Sequence, residues 1–205
     1  MILVIDYGMG NLHSVRKALE VVGARVRVSS RPEEISKADK IVFPGVGSFG
    51  EAMKELKKRK LVKPIKDAIS DGKPFLGLCL GLQLLFERSE EAPGVKGLGV
   101  LKGDVKKFRS KDFKVPHMGW NNIAFSGERI AYRKKVLAGV PSDAFMYFVH
   151  SYYVKPKDKK VVLTTTNYGI DFASGVCKDS IYAFQFHPEK SQKLGLKILK
   201  NFVRL

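Results

Sequence analysis

One cysteine stands between two glycines, in Gly77-Leu78-Cys79-Leu80-Gly81, after an apolar run and before a segment with helical spacing. This is the cysteine form of the G-x-S-x-G turn, in which a sharp strand-to-helix bend lifts a nucleophile above the carboxyl edge of a sheet. Glycines at these positions suit strained backbone and close strand–helix approach. The free N–H groups and positive dipole end of the following helix favour the thiolate. The N–H of Leu80, next after the nucleophile, is suited to stabilising an oxyanion. A free cysteine is most often a packing residue, and Cys177, in the β-like run 173–178, is read that way. The glycine pair sets Cys79 apart.

A cysteine nucleophile needs a base, and the base needs an orienting group. Of the four histidines, His187 ends an aromatic-rich run, Phe184-Gln185-Phe186-His187-Pro188-Glu189. Pro188 stops the strand and leaves the imidazole at a sheet edge. Glu189 can then accept a hydrogen bond from the second ring nitrogen and hold the tautomer. Taken alone, this would be a strand-end histidine beside a solvated glutamate; coupled to the elbow, it completes a Cys79–His187–Glu189 relay. His13 falls on the polar side of a helical segment and is expected to face solvent. No Cys/His set has structural-zinc spacing, so no metal is expected. Gly8-Met9-Gly10 lacks the third glycine of a dinucleotide fingerprint because residue 13 is His.

Such a relay needs a scaffold that joins distant parts of the chain, and the patterning predicts one. Ile2–Ile5 is a continuous apolar run, as in a strand buried on both faces of a parallel sheet. Leu12, Val15, Ala18, Leu19 and Val22 repeat at helical spacing between Asn11, a natural N-cap, and Gly23, suited to a left-handed C-cap. Val26 and Val28 mark a second strand. A third, at 40–43, ends at Pro44-Gly45-Val46-Gly47, and a fourth covers 74–78. Helices are expected over 48–58, 62–70 and 80–87. From about 99 to 186, short β-rich runs at 146–149, 161–166 and 181–186 are separated by turn residues. Leu194, Ile198, Leu199 and Phe202 mark a closing helix over 192–203. The expectation is one α/β domain over 1–205, with a mostly parallel central sheet flanked by helices and antiparallel strands added in the second half.

The 205 residues, 44% hydrophobic and 28% charged, are enough for a full globular core. No apolar run approaches the roughly 20 residues of a membrane span. Met1 leads directly into the first strand without a leader pattern, and two cysteines suit a reducing compartment. Secreted, membrane-spanning, disordered and disulfide-stapled classes are therefore not expected, and a cytoplasmic location is. The formal net charge of +17 asks for an acidic partner or for solvated cationic faces. The lysines are spread along the chain without a DNA- or RNA-binding motif, so no specific nucleic-acid partner is expected.

The elbow and the later His187-Pro188-Glu189 resemble the class I, triad-type glutamine amidotransferases, and the resemblance covers the whole chain. Asp6-Tyr7-Gly8-Met9-Gly10-Asn11-Leu12, Pro44-Gly45-Val46-Gly47-Ser48-Phe49-Gly50, Pro116-His117-Met118-Gly119-Trp120-Asn121 and Tyr147-Phe148-Val149-His150-Ser151-Tyr152 are similar to one branch, as is the stretch 89–98. That branch forms the glutaminase subunits of imidazole glycerol phosphate synthases. The resemblance implies a flavodoxin-like sheet, no cofactor, and glutamine hydrolysis by Cys79, His187 and Glu189. The Leu80 N–H and a backbone N–H of the Gly45-Val46 turn would form the oxyanion site, and Gly47, Gln83, His150, Ser151 and Tyr152 would hold glutamine. It further implies a heterodimer with a separate (β/α)8-barrel cyclase that uses the ammonia to convert PRFAR to imidazole glycerol phosphate and AICAR. Asn11, Met118, Trp120 and Lys190 would stand at that junction, and His117 marks the branch without an assigned role. A Gly-rich oxyanion turn can rest in an inactive orientation, so weak activity without the partner is expected. Rival readings are a glutaminase subunit serving anthranilate, aminobenzoate, GMP, CTP or pyridoxal phosphate synthesis, and a flavodoxin-like cysteine peptidase or chaperone.

Overall fold

The computed structural model describes residues 1–109, 113–126, 131 and 135–205. Its centre is a parallel array of β1 (Ile2–Ile5), β2 (Val26–Ser29), β3 (Lys40–Phe43), β4 (Phe75–Leu78) and β13 (Ile181–Phe184), in the order β2-β1-β3-β4-β13. Antiparallel pairing then carries the sheet outward through β12 (Asp171–Lys178), β10 (Tyr152–Pro156) and β6 (Gly103–Lys107), with β5 (Arg88–Ser89) at the edge. β11 (Val162–Asn167) branches from β12 and pairs with β8 (Ala124–Phe125). β7 (His117–Asn122) and β9 (Phe145–His150) form a separate antiparallel ribbon.

The central strands are apolar on both sides because helices cover both sides. Leu3, Ile5, Ile41, Phe43 and Phe75 pack toward the face covered by α2 (Pro32–Lys37), α3 (Phe49–Lys58) and α4 (Val62–Ser70). Ile2, Val4, Val42, Leu76, Leu78 and Phe184 pack toward α1 (Leu12–Val21) and the last helix, α6 (Gln192–Val203). α1 starts where expected: Asn11 Oδ1 accepts the Ser14 N–H at 3.2 Å, and Gly23 past its end has φ +91°. Lys40 Nζ donates to the Phe202 and Val203 carbonyls at 3.3 and 2.6 Å, tying the end of α6 to the sheet. His13 is exposed and Cys177 is fully buried on β12.

Two expectations about elements need correction. The helix after Cys79, α5 (Leu80–Leu84), stops well short of Glu87. The carbonyls of Leu84, Leu85 and Phe86, which a longer helix would use internally, accept the N–H groups of Leu98, Leu101 and Gly99 at 2.9, 2.9 and 3.1 Å. β13 ends at Phe184 rather than 186, because the chain peels off to other partners: Gln185 N–H donates to Ser174 O and His187 N–H to Tyr147 O. Among the described residues no helix is long and apolar enough to cross a membrane.

Candidate active site

The site lies at the carboxyl ends of β1, β3, β4 and β13, where an open α/β sheet of this order presents a crevice. Cys79 follows β4 directly with φ +52° and ψ −107°, a backbone region costly for any residue with a Cβ. Its N–H donates to Phe184 O at 2.7 Å, so β13 holds the strained turn in place. Gly81 is obligatory, since a Cβ there would sit 1.9 Å from the Phe43 carbonyl oxygen. The cysteine is 6% exposed, and its sulfur lies 3.8 Å from Val149 O and accepts the Gln185 Nε2 at 3.6 Å.

His187 and Glu189 come from the turn after β13, and the structure brings both beside Cys79. His187 Nδ1 and Glu189 Oε1 are 2.8 Å apart with both side chains almost fully buried. Nε2, without a hydrogen-bond partner among the described residues, is the nitrogen left for the sulfur. Burial alone would push this imidazole toward neutrality. The Cys79 sulfur beside it, then the hydrogen bond and charge of Glu189, outweigh burial and raise the pKa from 6.5 to about 10.

The expected oxyanion donors are arranged differently. Leu80 N–H donates to Gly45 O at 3.4 Å, so this donor is occupied. The Gly45–Val46 peptide thereby turns its oxygen, and not the Val46 N–H, toward the elbow. In this conformation the expected pair of donors is not assembled, because a glycine peptide can satisfy the elbow donor with its own carbonyl. Beneath it lies Tyr7, fully buried, its hydroxyl without a partner among the described residues and 2.2 Å from where a Gly45 Cβ would stand. Burial and the neighbouring Cys79 raise the Tyr7 pKa.

A cavity of about 300 Å³ opens onto the sulfur. Val46, Gly47, Gln83, His150, Ser151 and Tyr152 line it. All five residues expected to hold glutamine are in this wall. Gln83 is 5% exposed and not a surface amide; its Nε2 donates to Tyr152 O at 3.0 Å and to Gln185 Oε1 at 3.2 Å. Sequence reasoning missed three contributors. Gln185 was legible as the one polar residue between two core phenylalanines, Phe184 and Phe186, and is wholly buried against the sulfur. Glu91 lines the cavity, its Oε2 accepting the Phe49 N–H at 2.7 Å, and no local pattern marks it. Tyr7 continues the inward parity of Leu3 and Ile5, which reads as core.

Asn11, Met118, Trp120 and Lys190 are all exposed, Met118 by 62% and Trp120 by 47%. Asn11 lines a small pocket with Pro44, Gly45, His187 and Glu189, while the Trp120 ring and Lys190 Nζ approach Tyr147 at 6.1 and 5.8 Å. Among the described residues no group of three or more His, Cys, Asp or Glu side chains gathers as metal ligands.

The family model for glutamine amidotransferase class-I matches residues 3–205. The imidazole glycerol phosphate synthase subunit HisH of Aquifex aeolicus is 54% identical over 203 residues, covering 98% of this chain and 95% of that protein. Its counterpart in Geobacter metallireducens is 49% identical, with 98% and 96% covered, and HisH 1 of Methanococcus maripaludis is 47% identical with 100% of both covered. Among solved structures, PurLQS from Thermotoga maritima superposes with a TM-score of 0.77 over 99% of this chain and 97% of that one, at 18% identity. A GMP synthase protein from Thermoplasma acidophilum gives 0.71 at 20% identity, over 99% and 92%. At these identities the solved structures carry the fold alone.

Proposed function

Because the chain belongs to the class-I glutamine amidotransferase family and, within it, to the HisH subunits of imidazole glycerol phosphate synthase, we propose that Cys79, His187 and Glu189 hydrolyse glutamine and that the ammonia passes to a separate cyclase. The observation that carries this reading is a buried imidazole with Nδ1 at 2.8 Å from Glu189, beside a cysteine that opens onto a cavity of about 300 Å³. The Cys79 sulfur attacks the carboxamide carbon, and the tetrahedral intermediate collapses as His187 Nε2 gives its proton to the departing amine. Ammonia leaves, and a γ-glutamyl thioester remains. The now neutral His187 takes a proton from water as that water attacks the thioester, releasing glutamate and restoring sulfur and imidazolium. Glu189 holds the tautomer throughout.

The Gly45 carbonyl on Leu80 N–H describes a resting site. At 3.4 Å that hydrogen bond is at the weak end, and the glycine leaves the backbone torsion on its side of the peptide free to change. Turning the peptide over would present the Val46 N–H and release the Leu80 N–H, which together form the oxyanion site. The partner that favours the turned state is expected to be the (β/α)8-barrel cyclase with PRFAR bound, docked on the face of Asn11, Met118, Trp120 and Lys190. The half-identical, full-length relatives favour this assignment over the GMP and CTP readings, whose solved representatives share 20% identity or less. The test is labelling with an electrophilic glutamine analogue in the assembled synthase. Modification mapped to Cys79 and blocked by excess glutamine supports the reading; modification elsewhere, or none, contradicts it.

A further inference from the structure

His150 in the cavity wall has a second histidine behind it, His117, and the hydrolysis uses neither imidazole. His117 Nδ1 and His150 Nε2 are 3.0 Å apart, and both residues are buried. Around them runs a chain of hydrogen bonds whose direction is set at its outer end. Asn121 Oδ1 accepts the Asn122 N–H at 2.8 Å, and its Nδ2 donates to Asn167 O at 2.9 Å. Those two contacts leave no choice of amide orientation. The second hydrogen of the same Nδ2 meets His117 Nε2 at 3.2 Å, so this nitrogen is an acceptor. His117 must then carry its proton on Nδ1 and donate to His150 Nε2, which leaves the His150 proton on Nδ1, donated to Tyr152 O at 2.8 Å. Tyr152 O is the same carbonyl that accepts Gln83 Nε2, and Gln83 reaches the sulfur through Gln185.

Both imidazoles are neutral in this arrangement. Burial lowers the His117 pKa to about 4 and the His150 pKa to about 3. His117 is stacked between Phe148 and Tyr168, with centroids at 4.8 and 3.9 Å. On β7 it points inward with Asn121, while Met118 and Trp120 point outward.

We propose that His117 is a positioning residue for the glutamine pocket: its Nδ1–H anchors His150 at Nε2, and the ring so anchored holds the Tyr152 carbonyl and Gln83 in place to receive the substrate. The proposal rests on the glutamine reading of the cavity. Without the Nδ1–H donor, His150 Nε2 would be buried with no partner. The ring would then be held at one nitrogen only, free to swing, and its Nδ1–H would hold Tyr152 O less firmly.

Two variants separate this role from packing. His117→Phe keeps an aromatic ring in the stack and removes the donor. His117→Asn loses the ring and keeps an N–H at the Nδ1 position. Glutamate release is measured with the assembled synthase and PRFAR over a range of glutamine concentrations. His117→Phe is expected to raise KM for glutamine roughly tenfold, with kcat within about twofold, the loss of one buried hydrogen bond. His117→Asn is expected to stay within about threefold of wild-type KM, although it is the less stable protein. Should His117→Phe not fold, Asn121→Ala, which removes the donor to Nε2, is expected to raise KM about threefold. An unchanged KM in His117→Phe, or the reverse ranking of the two variants, overturns the proposal while a working wild type leaves the glutamine reading standing. A wild-type synthase that releases no glutamate overturns that parent reading, and this one with it.

Discussion

Three buried histidines lie at or behind the site, and the molecule holds them in opposite states. On the parallel side, His187 sits between a carboxylate and a sulfur, and its pKa rises to about 10. On the antiparallel side, His117 and His150 have only each other, an amide and a carbonyl, and their pKa values fall to about 4 and about 3. Burial acts on all three in the same direction; the partners decide the outcome. One site thus divides its work, with an imidazole raised toward its protonated form for chemistry and neutral ones for shape.

Removing what makes the two sides differ has the largest expected effect. Glu189→Gln is expected to lower stimulated glutamate release about 10³-fold or more, because the imidazole loses the partner that holds its tautomer. A variant within tenfold of wild type would mean that Glu189 is not what sets His187 apart. Next comes the turn between relay and cavity. In Gly45→Ala the new Cβ would stand 2.2 Å from the Tyr7 hydroxyl and 3.0 Å from Leu80 Cβ. Overpacking of this kind costs about 1–3 kcal/mol and is expected to abolish stimulation by the partner; a normally stimulated Gly45→Ala would remove the peptide turn from the account.

On the antiparallel side, Trp120→Ala is expected to weaken partner binding about 30-fold in titration calorimetry, while the Tm of the free protein stays the same because the side chain is half exposed. Unchanged affinity would mean that the exposed ribbon is not the docking face. The smallest effect is a two-sided pH dependence of Tm. His187, raised, contributes stability that is complete below about pH 6.5 and is lost as pH climbs toward about 10. His117 and His150, lowered, contribute stability that is complete above about 6.5 and is lost as pH falls toward about 4 and about 3. Glu189→Gln should flatten the alkaline flank and His117→Phe the acid one. Identical profiles for wild type and both variants would contradict the assigned states.

The two sides also differed in how far the amino-acid order announced them. β1, β3, β4 and α6 were readable to within a residue because burial on two faces or along one stripe imposes a strict apolar rhythm. α2 escaped, with Ile35 as its single buried residue, and so did β6, where only Val105 is buried. β7 reads His-Met-Gly-Trp-Asn-Asn, a strand whose inward positions are polar because they build the histidine chain rather than a core. The same logic holds for the site. Cys79, His187 and Glu189 carry short-range spacing signals, whereas Gln185, Glu91 and Tyr7 gain their meaning only from neighbours far along the chain. The orientation of the Gly45–Val46 peptide has no residue signature at all, since glycine permits both.

Glutamate release by wild type and Cys79→Ala, each alone and with the cyclase plus PRFAR, tests the central claim most directly. Slow release by the free wild type, strong stimulation in the loaded complex, and none above background from Cys79→Ala under either condition are expected, although that variant folds and binds the partner. Release from Cys79→Ala, or a free wild type already as fast as the loaded complex, would contradict that claim.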